Sequence, residues 1–264
     1  MAVTYLDRIL AAHRAATAAD NRPLDALLVA AGGVAEPVRE FASVLVQTDR
    51  LAVIAEVKRR SPSKGELAPD LDPARLASTY ESGGAACLSV LTDEEFFGGS
   101  ADDLRAARAA CDLPVLRKDF TVSPADVCDA RLMGADAVLL IAAALDDGEM
   151  AALHGLAGEL GLDALVEVHD EIELQRALAI GATLVGVNQR DLLTFEVDTD
   201  RAVRVAAAVP DDVVSVAESG VRTVDDARRL ADAGYRAVLV GESLVTAGDS
   251  AAAVSALRVP RLPR

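Results

Sequence analysis

Lys58 and Lys118 are two of only three lysines in the chain, the third being Lys64, against twenty-three arginines. Arg keeps its proton across the physiological range, whereas a Lys moved into a partly buried site can release it. A chain that writes almost all of its positive charge as Arg, yet keeps Lys at these positions, points to titratable amines there. Lys58 belongs to Leu51–Gly65, LAVIAEVKRRSPSKG. The stretch opens as a short apolar run, then presents Glu56, Lys58, Arg59, Arg60, Ser61 and Lys64 before breaking at Pro62 and Gly65. Such a run reads as a strand buried on both faces. Charged groups at the carboxyl end of a strand of this kind are where barrels and open α/β sheets keep their chemistry.

The pattern recurs. Thr92-Asp93, Lys118-Asp119, Glu167, Asn188 with Arg190, Glu218-Ser219-Gly220 and Gly241-Glu242-Ser243 each follow an apolar run. Two lysines, three glutamates, an Asn and an Arg converging on one rim suit proton transfer on a small substrate. The last two sites differ in kind. Ser219, Gly220, Gly241 and Ser243 are small residues where backbone N–H groups can approach an anion. Loops after strands 7 and 8 are the usual phosphate pocket of a barrel.

Eight apolar runs position these groups: 52–57, 86–91, 114–116, 137–141, 164–168, 184–187, 213–217 and 237–240. Helical stretches follow them at 73–82, 101–110, 124–133, 147–160, 171–180, 200–208, 224–233 and 250–257. Gly84, Gly134, Gly181 and Gly234 mark the returns from helix to strand, and Asp72-Pro73 and Ser123-Pro124 mark helix starts. Strands alternating with helices give a parallel sheet, and eight units predict an α/β fold, a closed (β/α)8 TIM barrel. No G-x-G-x-x-G turn follows the first strand, as an open doubly wound sheet would show. Before the first strand, Val3, Leu6, Ile9 and Leu10 share a helical face. Further helices are expected near 24–31 and 36–46. The prediction is one domain over residues 1–264: a helical N-terminal extension, 1–48, packed on a barrel of 49–264. The extension serves either as packing or as a lid.

Composition narrows the function. The chain is 52% hydrophobic, with 3% aromatics and no Trp, which leaves no stacking platform for bases. A net charge of −16, dispersed along the chain, argues against nucleic-acid or anionic-membrane binding. Three cysteines without C-x-x-C spacing predict neither disulfides nor zinc. His13, His154 and His169 are scattered and read as core or surface histidines rather than metal ligands. No signal peptide or membrane-spanning run is expected, so a cytoplasmic protein follows.

Several stretches resemble the indole-3-glycerol-phosphate synthase family. They are Ile54-Ala-Glu-Val-Lys-Arg-Arg-Ser-Pro-Ser63, Ser89-Val-Leu-Thr92, Phe96-Phe-Gly-Gly-Ser100, Arg117-Lys-Asp-Phe120, Leu165-Val-Glu-Val-His169, Gly186-Val-Asn-Gln-Arg-Asp-Leu192 and Ala217-Glu-Ser-Gly220. They come in the family's order over residues 50 to 245. Gln189 departs from many members without touching an assigned role.

The resemblance implies ring closure of 1-(2-carboxyphenylamino)-1-deoxyribulose 5-phosphate, with loss of CO2 and water, in tryptophan biosynthesis. It implies no cofactor and no metal and a phosphorylated small-molecule substrate. A monomer or weak homo-oligomer is expected. Lys118 becomes the general acid and Glu167 its partner in dehydration. Lys58 pairs with the substrate's carboxylate or phosphate and shares the second proton transfer. Glu56 and Glu218 orient the amines, and Asn188 completes the catalytic set. Ser61, Arg190 and Ser219 become substrate-binding residues. Lys58, Ser219, Gly220, Gly241 and Ser243 hold the phosphate, and Leu116, Leu140 or Leu239 faces the aromatic ring. A phosphoribosylanthranilate isomerase-like barrel is disfavoured because strand 1 ends in Glu-Val-Lys and strand 6 in Val-Asn-Gln-Arg. A non-catalytic sugar-phosphate-binding barrel would break the acid–base set, which is intact here.

Overall fold

The computed structural model describes residues 4–62, 64–191 and 196–261. Val3 of the expected helical stripe, and Ser63 and Leu192 of the quoted motifs, lie outside the described residues. The strands are β1 (Ala52–Val57), β2 (Cys87–Leu91), β3 (Val115–Lys118), β4 (Ala137–Ile141), β5 (Asp163–Val168), β6 (Leu184–Asn188), β7 (Val214–Glu218) and β8 (Ala237–Val240). They pair in parallel in sequence order, and β8 closes on β1 from Ala52–Ala237 to Ala55–Val240. The result is a (β/α)8 barrel. Its outer helices fall within two residues of the expected bounds, for example Pro124–Met133 and Glu171–Ala179.

Local signals fix these elements. Ser123 and Thr223 form capping boxes with Asp126 and Asp226, satisfying backbone donors at both ends of the box. Gly134 ends its helix at φ 88°, a left-handed turn that a side chain would disfavour.

Alternation along each strand sorts the core into two layers. Leu51, Val53, Ala55 and Val57 pack outward against the helices. Ala52, Ile54, Cys87, Leu116, Leu139 and Leu165 fill the barrel interior.

The N-terminal extension is helical at Tyr5–Ala19 and Leu24–Gly32. The expected third helix over 36–46 is not formed; only the turn Phe41–Val44 is helical. The preceding segment spends its backbone groups on the barrel instead. Arg131 donates to the Val34 and Glu36 carbonyls, Arg108 to that of Pro37, and the Arg39 N–H to buried Asp136. Those bonds compete with a helical ladder and win. The segment thereby delivers Phe41 and Leu45, both fully buried, into the barrel interior. At the other end of the barrel, the helix Tyr5–Ala19 docks through His13 on Asp93 at 2.9 Å and Arg14 on Glu149 at 2.7 Å.

Candidate active site

Inward positions on the strands change from apolar to charged toward the carboxyl end. On β1 the inward series is Ala52, Ile54, Glu56; on β5 it is Leu165 then Glu167; on β7, Val216 then Glu218. Lys58, Lys118 and Asn188 complete the rim. Together they line a cavity of about 440 Å³ that also includes Ser61, Arg190, Ser219, Gly220, Gly241 and Ser243. Every catalytic, substrate-binding and phosphate-binding candidate named from the sequence therefore borders one space.

Lys118 is the electrostatic centre. Its Nζ lies 3.0 Å from Glu167 Oε2 and 3.3 Å from Glu218 Oε2. Burial opposes its charge, but Glu167, Glu218 and Glu56 outweigh burial and hold the ammonium above its ordinary pKa. Glu167 accepts from Asn188 Nδ2 at 2.9 Å through its other oxygen. Burial alone would raise Glu167; Lys118, His169 and the Asn188 amide prevail and keep it below the usual carboxylate range. Glu218 goes the other way. Burial pushes its carboxyl up to about 8, with Lys118 opposing the rise and Glu167 adding to it. Its Oε1 is buried without a hydrogen-bond partner among the described residues. Lys58 forms a close ion pair with Glu56.

Two glycines make room for this cluster. A Cβ on Gly186 would overlap the Glu218 carboxylate, and one on Gly241 would overlap that of Glu56 and sit 3.0 Å from Lys58 Nζ. Ser219 and Gly220 follow β7 with φ of 65° and 77°, two successive left-handed residues. Buried Gln189 fastens this turn by donating to the Ser219 carbonyl at 2.7 Å. Ser243 donates to the Val221 carbonyl at 3.0 Å.

The apolar wall is formed by Leu91, Leu139, Ile141 and Leu239, with Phe97 and Phe120 at the rim. Of the three candidates for this wall, only Leu239 reaches the cavity. Leu140 points outward into the helix layer, one residue out of phase with Leu139, and Leu116 packs in the barrel interior.

Sequence reasoning passed over His169, whose Nε2 lies 3.7 Å from Glu167 Oε1, and Arg222, which lines the cavity. The usable signal for His169 was its position two residues beyond Glu167. His13, Asp93 and Asp119 bring three possible metal-ligand atoms within 4.8 Å of one another. Their oxygens are already committed. Asp93 Oδ1 caps Phe96 and Phe97, and Asp119 Oδ2 takes Thr92 and Arg117. With Arg117 beside it, this group works as a clasp between the N-terminal helix and the barrel.

Comparison with known proteins places the chain in a family. The sequence model of the family described as indole-3-glycerol phosphate synthase matches residues 6–257. Proteins of that name from Rhodopirellula baltica and Mycolicibacterium gilvum are 48% and 50% identical, covering 97% and 96% of this chain and 99% and 93% of their own. One from Nocardioides is 61% identical over 77% of this chain and 78% of its own. Among solved structures, thiamine phosphate pyrophosphorylase from Pyrococcus furiosus aligns with a TM-score of 0.60 at 18% identity, covering 78% of this chain and 93% of its own. That likeness speaks for the barrel alone. With a family match across nearly the whole length and relatives near half identical, the chain belongs to the indole-3-glycerol phosphate synthase family.

Proposed function

We propose that the cavity closes the indole ring of 1-(2-carboxyphenylamino)-1-deoxyribulose 5-phosphate, releasing CO2 and water. The observation that carries the reading is Lys118, half-buried, held charged by Glu167 at 3.0 Å and set 3.3 Å from Glu218. An ammonium so placed can give a proton to the ketose carbonyl as the aromatic carbon attacks it. Loss of CO2 then restores the aromatic ring. Dehydration follows, with Glu167 taking the proton from carbon and a cationic group protonating the departing hydroxyl. Lys58, paired with Glu56, shares that second step or binds the substrate carboxylate. Glu218 and Glu56 orient the amines, while Asn188, Arg190 and Ser61 position the substrate. Ser61 Oγ is buried with no hydrogen-bond partner among the described residues, which suits a donor kept for ligand.

The phosphate is assigned to Ser219, Gly220, Gly241 and Ser243, with Lys58 and Arg222 supplying charge. Backbone N–H groups gathered at a tight turn favour an anion. The apolar wall of Leu139, Ile141 and Leu239 suits the anthranilate ring. The chain is proposed to act as one domain, because the extension is tied to both ends of the barrel. A reducing cytoplasm fits three buried free cysteines, and a monomer or weak homo-oligomer fits the few exposed large hydrophobics on the described surface. Among the described residues, no helix is long and apolar enough to cross a membrane.

The test is to incubate the purified chain with this substrate and follow CO2 release and the mass of the product. Equimolar CO2 and a product lighter by CO2 and water support the reading. Substrate binding without either would leave a binding barrel in place of an enzyme.

A further inference from the structure

The helix Tyr5–Ala19 meets the loops that follow β2 and β3, and these two loops carry the aromatic rim of the cavity. Tyr5 touches Phe96 edge-on, with ring centres 5.8 Å apart. His13 reaches Asp93 at 2.9 Å and stands 3.8 Å from Asp119. Its ring centre also lies 5.4 Å from that of Phe120, which is 6.4 Å from that of Phe97. Phe97, Phe120, Asp93 and Asp119 all line the cavity, whereas His13 stands just behind them.

The two carboxylates that face His13 also hold the backbone of the two rim phenylalanines. Asp93 Oδ1 accepts the N–H groups of Phe96 and Phe97 at 2.6 and 3.1 Å, while its Oδ2 meets His13 Nε2. Asp119 Oδ1 accepts the Phe120 N–H at 2.8 Å, and Oδ2 takes Thr92 and Arg117. A pull on either carboxylate is therefore passed to its phenylalanine. Phe97 and Phe120 continue the apolar wall of Leu91, Leu139, Ile141 and Leu239, so their placement bears on how an aromatic ring is gripped.

The charged groups facing the imidazole are Asp93 after β2, Asp119 after β3 and Asp126 on the helix Pro124–Met133. Arg117 pairs with Asp119 at 3.0 Å. Burial disfavours the imidazolium, but Asp93, Asp119 and Asp126 prevail and raise the pKa of His13. Burial likewise opposes charge on Asp93, and His13 with the Phe96 and Phe97 N–H groups holds its carboxyl below the ordinary value. A folded-state value above the unfolded one means that the contact is at full strength below the ordinary histidine value of 6.5. It weakens as pH rises through the raised value.

We propose that His13 is a positioning residue for the anthranilate ring: when charged, it holds Phe97 and Phe120 in place through Asp93 and Asp119, and when neutral it lets that rim loosen. The grip acts on substrate binding and leaves proton transfer at Lys118 untouched. The proposal rests on the ring-closure function given above.

The test measures KM and kcat for indole formation at about pH 6 and pH 9 in the full chain, His13→Gln and His13→Lys, together with hydrogen exchange of the Tyr5–Ala19 amides. Gln is neutral at both pH values. At the lower pH the native KM should be about three- to ten-fold below that of His13→Gln, the scale of exchanging a charge-assisted hydrogen bond for a neutral one. At the higher pH the two should converge, with kcat alike throughout. His13→Lys, charged at both, should keep the low KM at the higher pH. Native helix amides should be better protected than those of His13→Gln at the lower pH only. Titration of the substrate and of Glu218 is common to the chains and cancels in each ratio. A gap in KM of the same size at both pH values would mean that His13 acts by shape alone. Equal KM at the lower pH would deny it any part in binding, and a fall in kcat at constant KM would move it to the proton-transfer cluster. Each of these overturns the proposal while leaving ring closure intact. Absence of indole from the unaltered chain would instead remove ring closure and the claim on KM, while exchange in the helix would still show whether the clasp titrates.

Discussion

Replacing Glu218 by Gln separates the charge of this cavity from its shape. The amide is nearly isosteric and can remain near Lys118 Nζ, 3.3 Å away in the native pair, but it cannot titrate. In the native chain burial moves the Glu218 carboxyl from 4.5 up to about 8. A folded-state value above the unfolded one means that the folded chain binds the proton more tightly. The stability this contributes is complete below about pH 4.5 and is lost as pH climbs toward 8. At 1.36 kcal/mol per pH unit, the whole window amounts to about 5 kcal/mol. Between pH 5.5 and 7.5 the native chain should lose stability relative to Glu218→Gln, by on the order of 2 kcal/mol. Urea unfolding followed by far-ultraviolet circular dichroism at those two pH values measures the difference directly. A gap that stays constant within about 0.5 kcal/mol, well inside the error expected of extrapolation, would show that Glu218 is ionised at neutral pH. It would also refute the reading that burial outweighs Lys118 at Glu218.

Two further substitutions probe the shape of the site. Ser243→Asp sets a carboxylate beside the assigned phosphate pocket and should weaken binding of inorganic phosphate and of substrate by about 10- to 100-fold, since like charges in contact cost a few kcal/mol; Ser243→Ala, which loses only the bond to the Val221 carbonyl, should bind within a few-fold of native, and equal affinity for the Asp variant would move the phosphate elsewhere. Gly186→Ala drives a methyl into the Glu218 carboxylate and to 3.3 Å from Leu165 Cδ1. Displacing an orienting group by about 1 Å can cost about a hundred-fold, so kcat should drop by about 10- to 100-fold with cooperative unfolding retained. Native kcat in Gly186→Ala would mean that Glu218 does not orient Lys118.

The parts of this molecule legible in its sequence are those written by periodicity. Eight apolar runs became eight strands because both of their faces are buried, and no other arrangement closes such a set without edges. Strand ends were read short at Lys118, Asn188 and Glu218, since charge looks like loop; here the barrel interior pairs those groups, so the strands run through them. The turn at Phe41–Val44 was read as a longer helix. Apolar spacing over 36–46 gives no hint that Arg39, Arg108, Arg131 and Asp136 take over its backbone bonds from distant parts of the chain. Leu140 was confused with Leu139 because a run of apolar residues hides its own phase. His169 carried no local mark beyond its place two residues after Glu167. Its meaning comes from Glu173 and Glu167 closing on its two nitrogens from opposite sides of the chain segment.

The central claim is that Lys118 protonates the ketose carbonyl during indole formation. The chain contains no tryptophan, so indole emission appears over a dark background. The decisive measurement is the single-turnover rise of that emission in the native chain and in Lys118→Met, with product affinity measured alongside. The account predicts a rate lower by about 10²- to 10⁴-fold in the variant, the range expected for a lost general acid, with affinity nearly unchanged. A rate within ten-fold of native would contradict it and transfer the acid role to another group of the cavity.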